Sequence, residues 1–204
     1  MMKSVVFLLA FFCIDNISAQ VKISVKAGPT YTTALVKDSS VKRTTDYKPG
    51  FAIAFQLEMP FDGVLHFAPF ISYNTRSFKT TYPTKKLQTT IGYIDIAPNL
   101  SIELPASHSS NFAIAFGPVF GVSSFGNEKT TQNGNTTSQK IHFGYGTYGM
   151  FDLGLNGSIG YHGKKVFAEI SYLLGLVNIN NNESLGDINI QQRMLGLNLG
   201  YYIK

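Results

Sequence analysis

Residues 166–176 read VFAEISYLLGL, and their alternation governs how the rest of the chain is read. Ala168, Ile170, Tyr172, Leu174 and Leu176 form an apolar set, whereas Phe167, Glu169, Ser171, Leu173 and Gly175 mix small, polar and charged side chains. A period of two belongs to a β-strand whose faces meet different surroundings. Glu169 poses the choice. It lies either on a wet outer face above an apolar core, or inside a barrel whose apolar exterior touches lipid.

Composition bears on that choice. Asp, Glu, Lys and Arg make up 14% of the 204 residues, against roughly 25% in soluble domains, so a water-facing surface would be poorly supplied. The net charge of +5 comes without a basic helix, a zinc spacing or a single-strand-binding pattern, and nucleic acid is not expected as a partner. At the N-terminus, Lys3 precedes the run VVFLLAFFCI, and Ala19 stands ahead of Gln20. That pattern predicts a signal peptide over residues 1–19 and a barrel domain over 20–204. Cys13, the one cysteine, falls in the leader, so the mature chain is expected to hold no disulfide and no Cys-ligated metal.

Beyond Gln20 no apolar run approaches the roughly 20 residues of a spanning helix. Alternation recurs instead at 21–27, 51–59, 65–76, 93–104, 112–122, 151–161 and 194–203, which with the opening stretch makes eight strands. Long polar segments (34–47, 77–89, 123–146, 178–189) follow every odd strand, and the short turns PFDG, PASHSS and HGKK follow the second, fourth and sixth. This predicts an all-β fold: an eight-stranded antiparallel up-and-down transmembrane β-barrel with four long extracellular loops and short periplasmic turns. Closure leaves no exposed edge. A soluble eight-stranded ligand-binding barrel would reverse the faces, and its exterior would then be the sparse Gly, Ala, Ser and Asn set.

With lipid outside, Lys22, Lys26, Glu58, Arg76, Asp95, Glu103, Asp152 and Glu169 form an interior polar cluster. An eight-stranded barrel is just wide enough to be filled by its own side chains, and Gly154, Gly160, Gly196 and Gly200 are expected to leave space for Glu169, Asn99, Asn156 and Asn198. Matching heights along the strands predicts Lys26 with Glu169, Asn198 lying between them, Lys22 with Glu58, and Arg76 with Asp95. Together these would plug the lumen. Two aromatic girdles are expected: Phe61, Phe112, Tyr161, Tyr201 and Tyr202 near the short turns, and Tyr31, Tyr47, Phe78, Phe125, Tyr145 and Tyr148 near the long loops. Pro69, Pro98 and Pro118 lack a ladder donor and predict bulges or a broken ladder across the third to fifth strands.

Chemistry is harder to find. His108 and His162 are read in short turns, His142 in a long loop and His66 in the polar interior, with no two sharing a level with a carboxylate and a serine. No catalytic, cofactor-binding or metal-ligating residue is assigned. Asp38 with Asp46, and Glu183 with Asp187, lack the ordered spacing of a calcium loop. Lys37, Lys42, Arg43, Lys79, Lys85 and Lys86 cluster in the first two long connections, where they would meet the phosphates of lipopolysaccharide in the outer leaflet.

Four segments, YIDIAPNLSIEL, NFAIAFGPVFGV, FAEISYLLGLVNI and QRMLGLNLGYY, resemble the PorT-type outer-membrane β-barrel domain family, and the resemblance runs from Gln20 to Tyr202. It implies a small outer-membrane barrel of a Gram-negative bacterium with both termini in the periplasm. Such chains are exported by a Sec-type signal and inserted by the barrel-assembly machinery, which reads a terminal aromatic residue; here Ile203 and Lys204 follow Tyr202. The expected function is non-enzymatic, in envelope structure or in binding a protein partner through the loops. A narrow channel, or a transport or secretion-associated component, is the alternative.

Overall fold

The computed structural model describes residues 21–38, 41–81, 85–107, 109–181 and 188–203. The expected signal peptide lies outside them, as do His108, Glu183 and Asp187, and the side chains of Asp38, Lys42 and Arg43 are not described. The strands are β1 (Lys22–Asp38), β2 (Val41–Thr44), β3 (Lys48–Asp62), β4 (Leu65–Thr81), β5 (Lys86–Ser107), β6 (Ser110–Gln132), β7 (Asn135–Lys140), β8 (Phe151–His162), β9 (Val166–Gly175) and β10 (Asn189–Tyr202). Eight of them close a ring in the order β1-β3-β4-β5-β6-β8-β9-β10, with β10 returning to β1, and every pairing is antiparallel. β2 pairs with β1 and β7 with β6, outside the ring.

Those extra strands correct the reading of the long connections. Much of 34–47, 77–89 and 123–146 is strand: β4 and β5 stay paired out to Thr81 and Lys86, and β6 and β7 meet at Asn133 and Gly134, both with positive φ (52° and 80°). Two such residues suit a tight two-residue hairpin turn. Thr-rich segments favour strand, but beyond the lipid both faces of a hairpin meet water. Polarity then no longer alternates, and the period of two that marks the barrel strands disappears.

Within the barrel the two faces separate as expected. Phe55, Ile71, Ile96, Phe116, Leu155, Ile159, Ile170 and Leu199 are exposed, while Ser24, Lys26, Glu58, Asn99, Asn156 and Glu169 are buried. An apolar belt this extensive is an interaction surface rather than a water-facing one. The girdles need correcting. Phe61, Phe112, Tyr161 and Tyr201 are exposed near the turns, and Tyr31, Tyr47, Phe125 and Tyr145 toward the other end, but Tyr202 and Phe78 are buried. Adjacent strand residues point to opposite faces, so Tyr201 outward sends Tyr202 inward. Phe78 packs edge-on to half-buried Tyr148 at 6.3 Å between ring centroids. Both belong to an apolar cap of Ala34, Phe78, Ile91, Tyr93, Ile179 and Ile190, with Ile141 and Phe143 against it. This cap lies at the hairpin end of the barrel.

Prolines interrupt the ladder as expected between the fourth and fifth strands, β5 and β6, but not between the third and fourth. Pro69 and Pro98 oppose each other in an unbroken β4–β5 ladder. The lapses fall on the flanks, between Gln56–Phe70 and Met59–Phe67 on the β3 side and between Ile96–Phe120 and Leu100–Phe116 on the β6 side, with register preserved across each. Antiparallel partners at a non-hydrogen-bonded site turn their N–H groups toward the outer neighbours, so two prolines placed there remove donors from the flanking ladders and spare their own. Pro118 faces the same gap from β6 and keeps its pairing with Leu155 on β8. The register shifts in the β5–β6 pairing lie elsewhere, at Gly92/Tyr93 and Pro105/Ser107.

Candidate functional site

The lumen holds ions at three levels. In the middle, Lys26 on β1 donates to Glu169 on β9, with Nζ 2.8 Å from Oε1 and 3.0 Å from Oε2. Asn198 on the intervening β10 reaches Glu169 Oε1 at 3.5 Å and Ser171 Oγ at 3.2 Å. Glu169 therefore faces inward and is paired as the heights predict. Lys26 Nζ also sits 5.0 Å from the centre of the Phe70 ring.

Nearer the hairpin end, Arg76 on β4 is the largest fully buried side chain among the described residues. Its guanidinium donates to Asp95 on β5 as expected, and also to Asp152 Oδ2 on β8 at 2.6 Å and to Asn74 Oδ1 at 3.0 Å. Asn74 in turn donates to Asp95 at 2.7 Å, and the guanidinium carbon lies 4.2 Å from the Tyr93 ring centre. A planar fork of donors can serve two carboxylates at once, which an ammonium does less well.

At the turn end, Lys22 lies 3.7 Å from Glu58, its expected partner, and 3.3 Å from Glu103. Asn111 donates to Glu103 at 2.8 Å, and the Tyr202 hydroxyl to Glu58 at 3.2 Å. The Tyr202 oxygen is also 2.8 Å from Nδ1 of His162. His162 is not in a solvent-exposed turn: β8 runs through it, and it is 5% exposed inside the barrel. His66 joins the same level, with Nδ1 3.8 Å from Glu58 and 3.9 Å from Glu103. Two histidines thus share a level with two carboxylates, because His162 stands in the lumen and not in the turn where the sequence reading puts it. The signal was present, since His162 continues the inward series Asp152, Gly154, Asn156, Ser158 and Gly160.

Room for these side chains comes from glycines, with Gly196 beside Asn198 as expected and the other three expected glycines making room for different groups. A Cβ on Gly117 would lie 2.5 Å from Asn99 Oδ1, one on Gly121 2.7 Å from Asp95 Oδ1, and one on Gly200 2.1 Å from the ring of inward-facing Phe167. Gly196 borders Ser171 and Asn198, whereas Gly160 makes room for His162, and Gly154 admits the β9 backbone at Leu174.

The basic residues assigned to lipid phosphates lie on two hairpins. Lys37 on β1 is the register partner of Lys42 on β2, and Val36 that of Arg43. Lys79 and Lys86 flank the β4–β5 connection, with Lys85 in it. A backbone bridge between Asp46 and Lys79 ties the two regions together.

Among the described residues no helix is long and apolar enough to cross a membrane. The strands supply the crossing. A closed eight-stranded antiparallel ring with an apolar exterior and an ionic interior defines the class of small transmembrane β-barrels. Residues 16–181 match the outer membrane protein beta-barrel domain family. The chain belongs to that family and is an integral outer-membrane barrel protein. Among solved structures it is similar to Ail, the attachment invasion locus protein of Yersinia pestis, at 12% identity and TM-score 0.46, covering 89% of this chain and 98% of that one. OprG from Pseudomonas aeruginosa gives 11% and 0.46, covering 89% and 95%. Neisserial surface protein A gives 14% and 0.45, covering 88% and 96%. No curated protein matches the chain.

Proposed function

We propose that the protein is a non-enzymatic barrel with a closed lumen, serving envelope structure or a partner protein through its hairpins. The observation that carries this reading is the contact of Arg76 with Asp152 across the lumen, with Lys26 paired to Glu169 over β10 below it, beneath the apolar cap. Conduction needs a hydrated path, and the burial of these pairs and of the cap inside the ring supports a lumen without one. In planar bilayers the purified protein is expected to give no steady open-channel current. A reproducible unitary conductance would instead favour the narrow-channel or transport reading.

Further parts of the proposal rest on sequence pattern. The chain is exported through its Sec-type leader, cleaved after Ala19, and inserted by the barrel-assembly machinery. It is assigned to the PorT type on the four resembling segments, without a secretion role attached. Lys37, Lys42, Arg43, Lys79, Lys85 and Lys86 are proposed to contact lipopolysaccharide phosphate, supported by their place on two hairpins at one end of the barrel. Cross-linking in intact envelopes followed by pull-down would identify a protein partner.

A further inference from the structure

We propose that Glu58, Glu103 and His162, with His66 as a fourth donor, form a divalent-metal site at the turn end of the lumen, suited to a borderline ion such as Zn²⁺. One donor atom from each of Glu58, Glu103 and His162 lies within 4.8 Å of the other two, and these three residues are 1%, 5% and 5% exposed. They come from β3, β5 and β8, and His66 comes from β4. The site is therefore a product of closure and not of local spacing, which is why no sequence motif announces it.

A second observation points to a ligand. Glu58 Oε1 and His66 Nδ1 are both buried and neither has a hydrogen-bond partner, yet they face each other across 3.8 Å, with Glu103 Oε1 3.9 Å from the same nitrogen. A buried polar atom left unsatisfied is costly. A tetrahedral ion with bonds of about 2.1 Å has donor–donor edges of about 3.4 Å, so a shift of a few tenths of an ångström would bring Glu58 Oε1 and Glu103 Oε1 to ligating separation from His66 Nδ1, the Glu103 oxygen giving up the Lys22 ammonium 3.3 Å away. His66 lies outside the group drawn within 4.8 Å and closes on the ion as it binds. Two imidazoles with two carboxylates suit zinc-like ions, whereas calcium and magnesium sites are built from oxygen.

The surroundings fit. Asn111 donates to Glu103 and Tyr202 to Glu58, as orienting partners of metal ligands do. A cavity of about 240 Å³ lined by Lys22, Asn111, His162 and Tyr202 opens onto His162 at the turn end. Lys22, whose side chain is 41% exposed, is the resident counter-ion, and a divalent cation would displace it toward water.

The test uses the folded mature barrel in detergent micelles, titrated with Co²⁺ alone and then with Zn²⁺. The expected result is one saturable Co²⁺ equivalent with the visible absorption of a tetrahedral site, displaced by Zn²⁺. Glu103→Gln and His66→Gln should each weaken binding at least about tenfold, and Lys22→Met should tighten it by removing the competing charge. His142→Ala, at an exposed position, should change nothing. Gel mobility before and after boiling confirms that each variant is folded. If His66→Gln does not fold, the unmutated protein and Lys22→Met decide alone. No saturable binding, binding indifferent to Glu103→Gln and His66→Gln, binding abolished by His142→Ala, or no tightening in Lys22→Met would each overturn the site.

Discussion

Glu169 shows what a single position can disclose. Its place in the alternating stretch indicated a face, and its height along the strand indicated Lys26 as partner; the contact is there, with both side chains under 10% exposed. Removing one member of a buried pair leaves the other uncompensated, at a cost on the order of 3–5 kcal/mol. Glu169→Ala should therefore lower stability by about that much in urea unfolding from lipid vesicles, and Lys26→Met in the same chain should recover part of the loss. Additive single effects would sever the proposed coupling. Asn198, within 3.5 Å of Glu169, keeps the recovery below completeness. Other residues were less legible for a physical reason. His162 and Tyr202 sit at strand ends, where one residue of extension decides between solvent and lumen, and nothing in composition marks that boundary.

Strands are legible in the sequence where lipid and lumen impose different chemistry on alternate residues, and illegible where they do not. The ends of β4, β5 and β6 pass beyond that contrast, so their Thr, Lys and Gln residues looked like loops although their backbones stay paired. Prolines were recognised as disruptive, but which ladder they spare depends on the direction of an absent N–H, a feature of register rather than of sequence. Close approach at another seam gives a sharper test. A Cβ on Gly28 would lie 1.8 Å from the carbonyl oxygen of Leu197 on β10, beside the gap that Pro29 leaves between Ala27–Leu199 and Thr30–Gly196. Gly28→Ala should destabilise the barrel by about 1–3 kcal/mol through overpacking. Gly157→Ala, with nothing within 4 Å of its Cβ position, should be close to neutral. Equal effects of the two substitutions in the same unfolding assay would remove the close approach as the cause.

At the scale of the molecule, alternating long and short connections were enough to indicate an up-and-down ring, because antiparallel neighbours joined in sequence leave only closure to be inferred. The apolar cap was not legible, since its members are scattered from Ala34 to Ile190 and meet only once the ring exists. With all ladder bonds internal, the folded protein should resist detergent and migrate differently on gels before and after boiling; a single mobility under both conditions would count against a closed ring. The Arg76–Asp152 contact has one more consequence. It joins β4 to β8, three strands away around an eight-strand circumference, while Lys22 joins β1 to β5 at the other end, again three strands away. These are struts near the diameter, at two depths, and they oppose flattening of the tube into an ellipse. In a bilayer thinner or thicker than its apolar belt, such a stiff cylinder keeps its cross-section, and the mismatch is taken up by tilt and by the surrounding lipid.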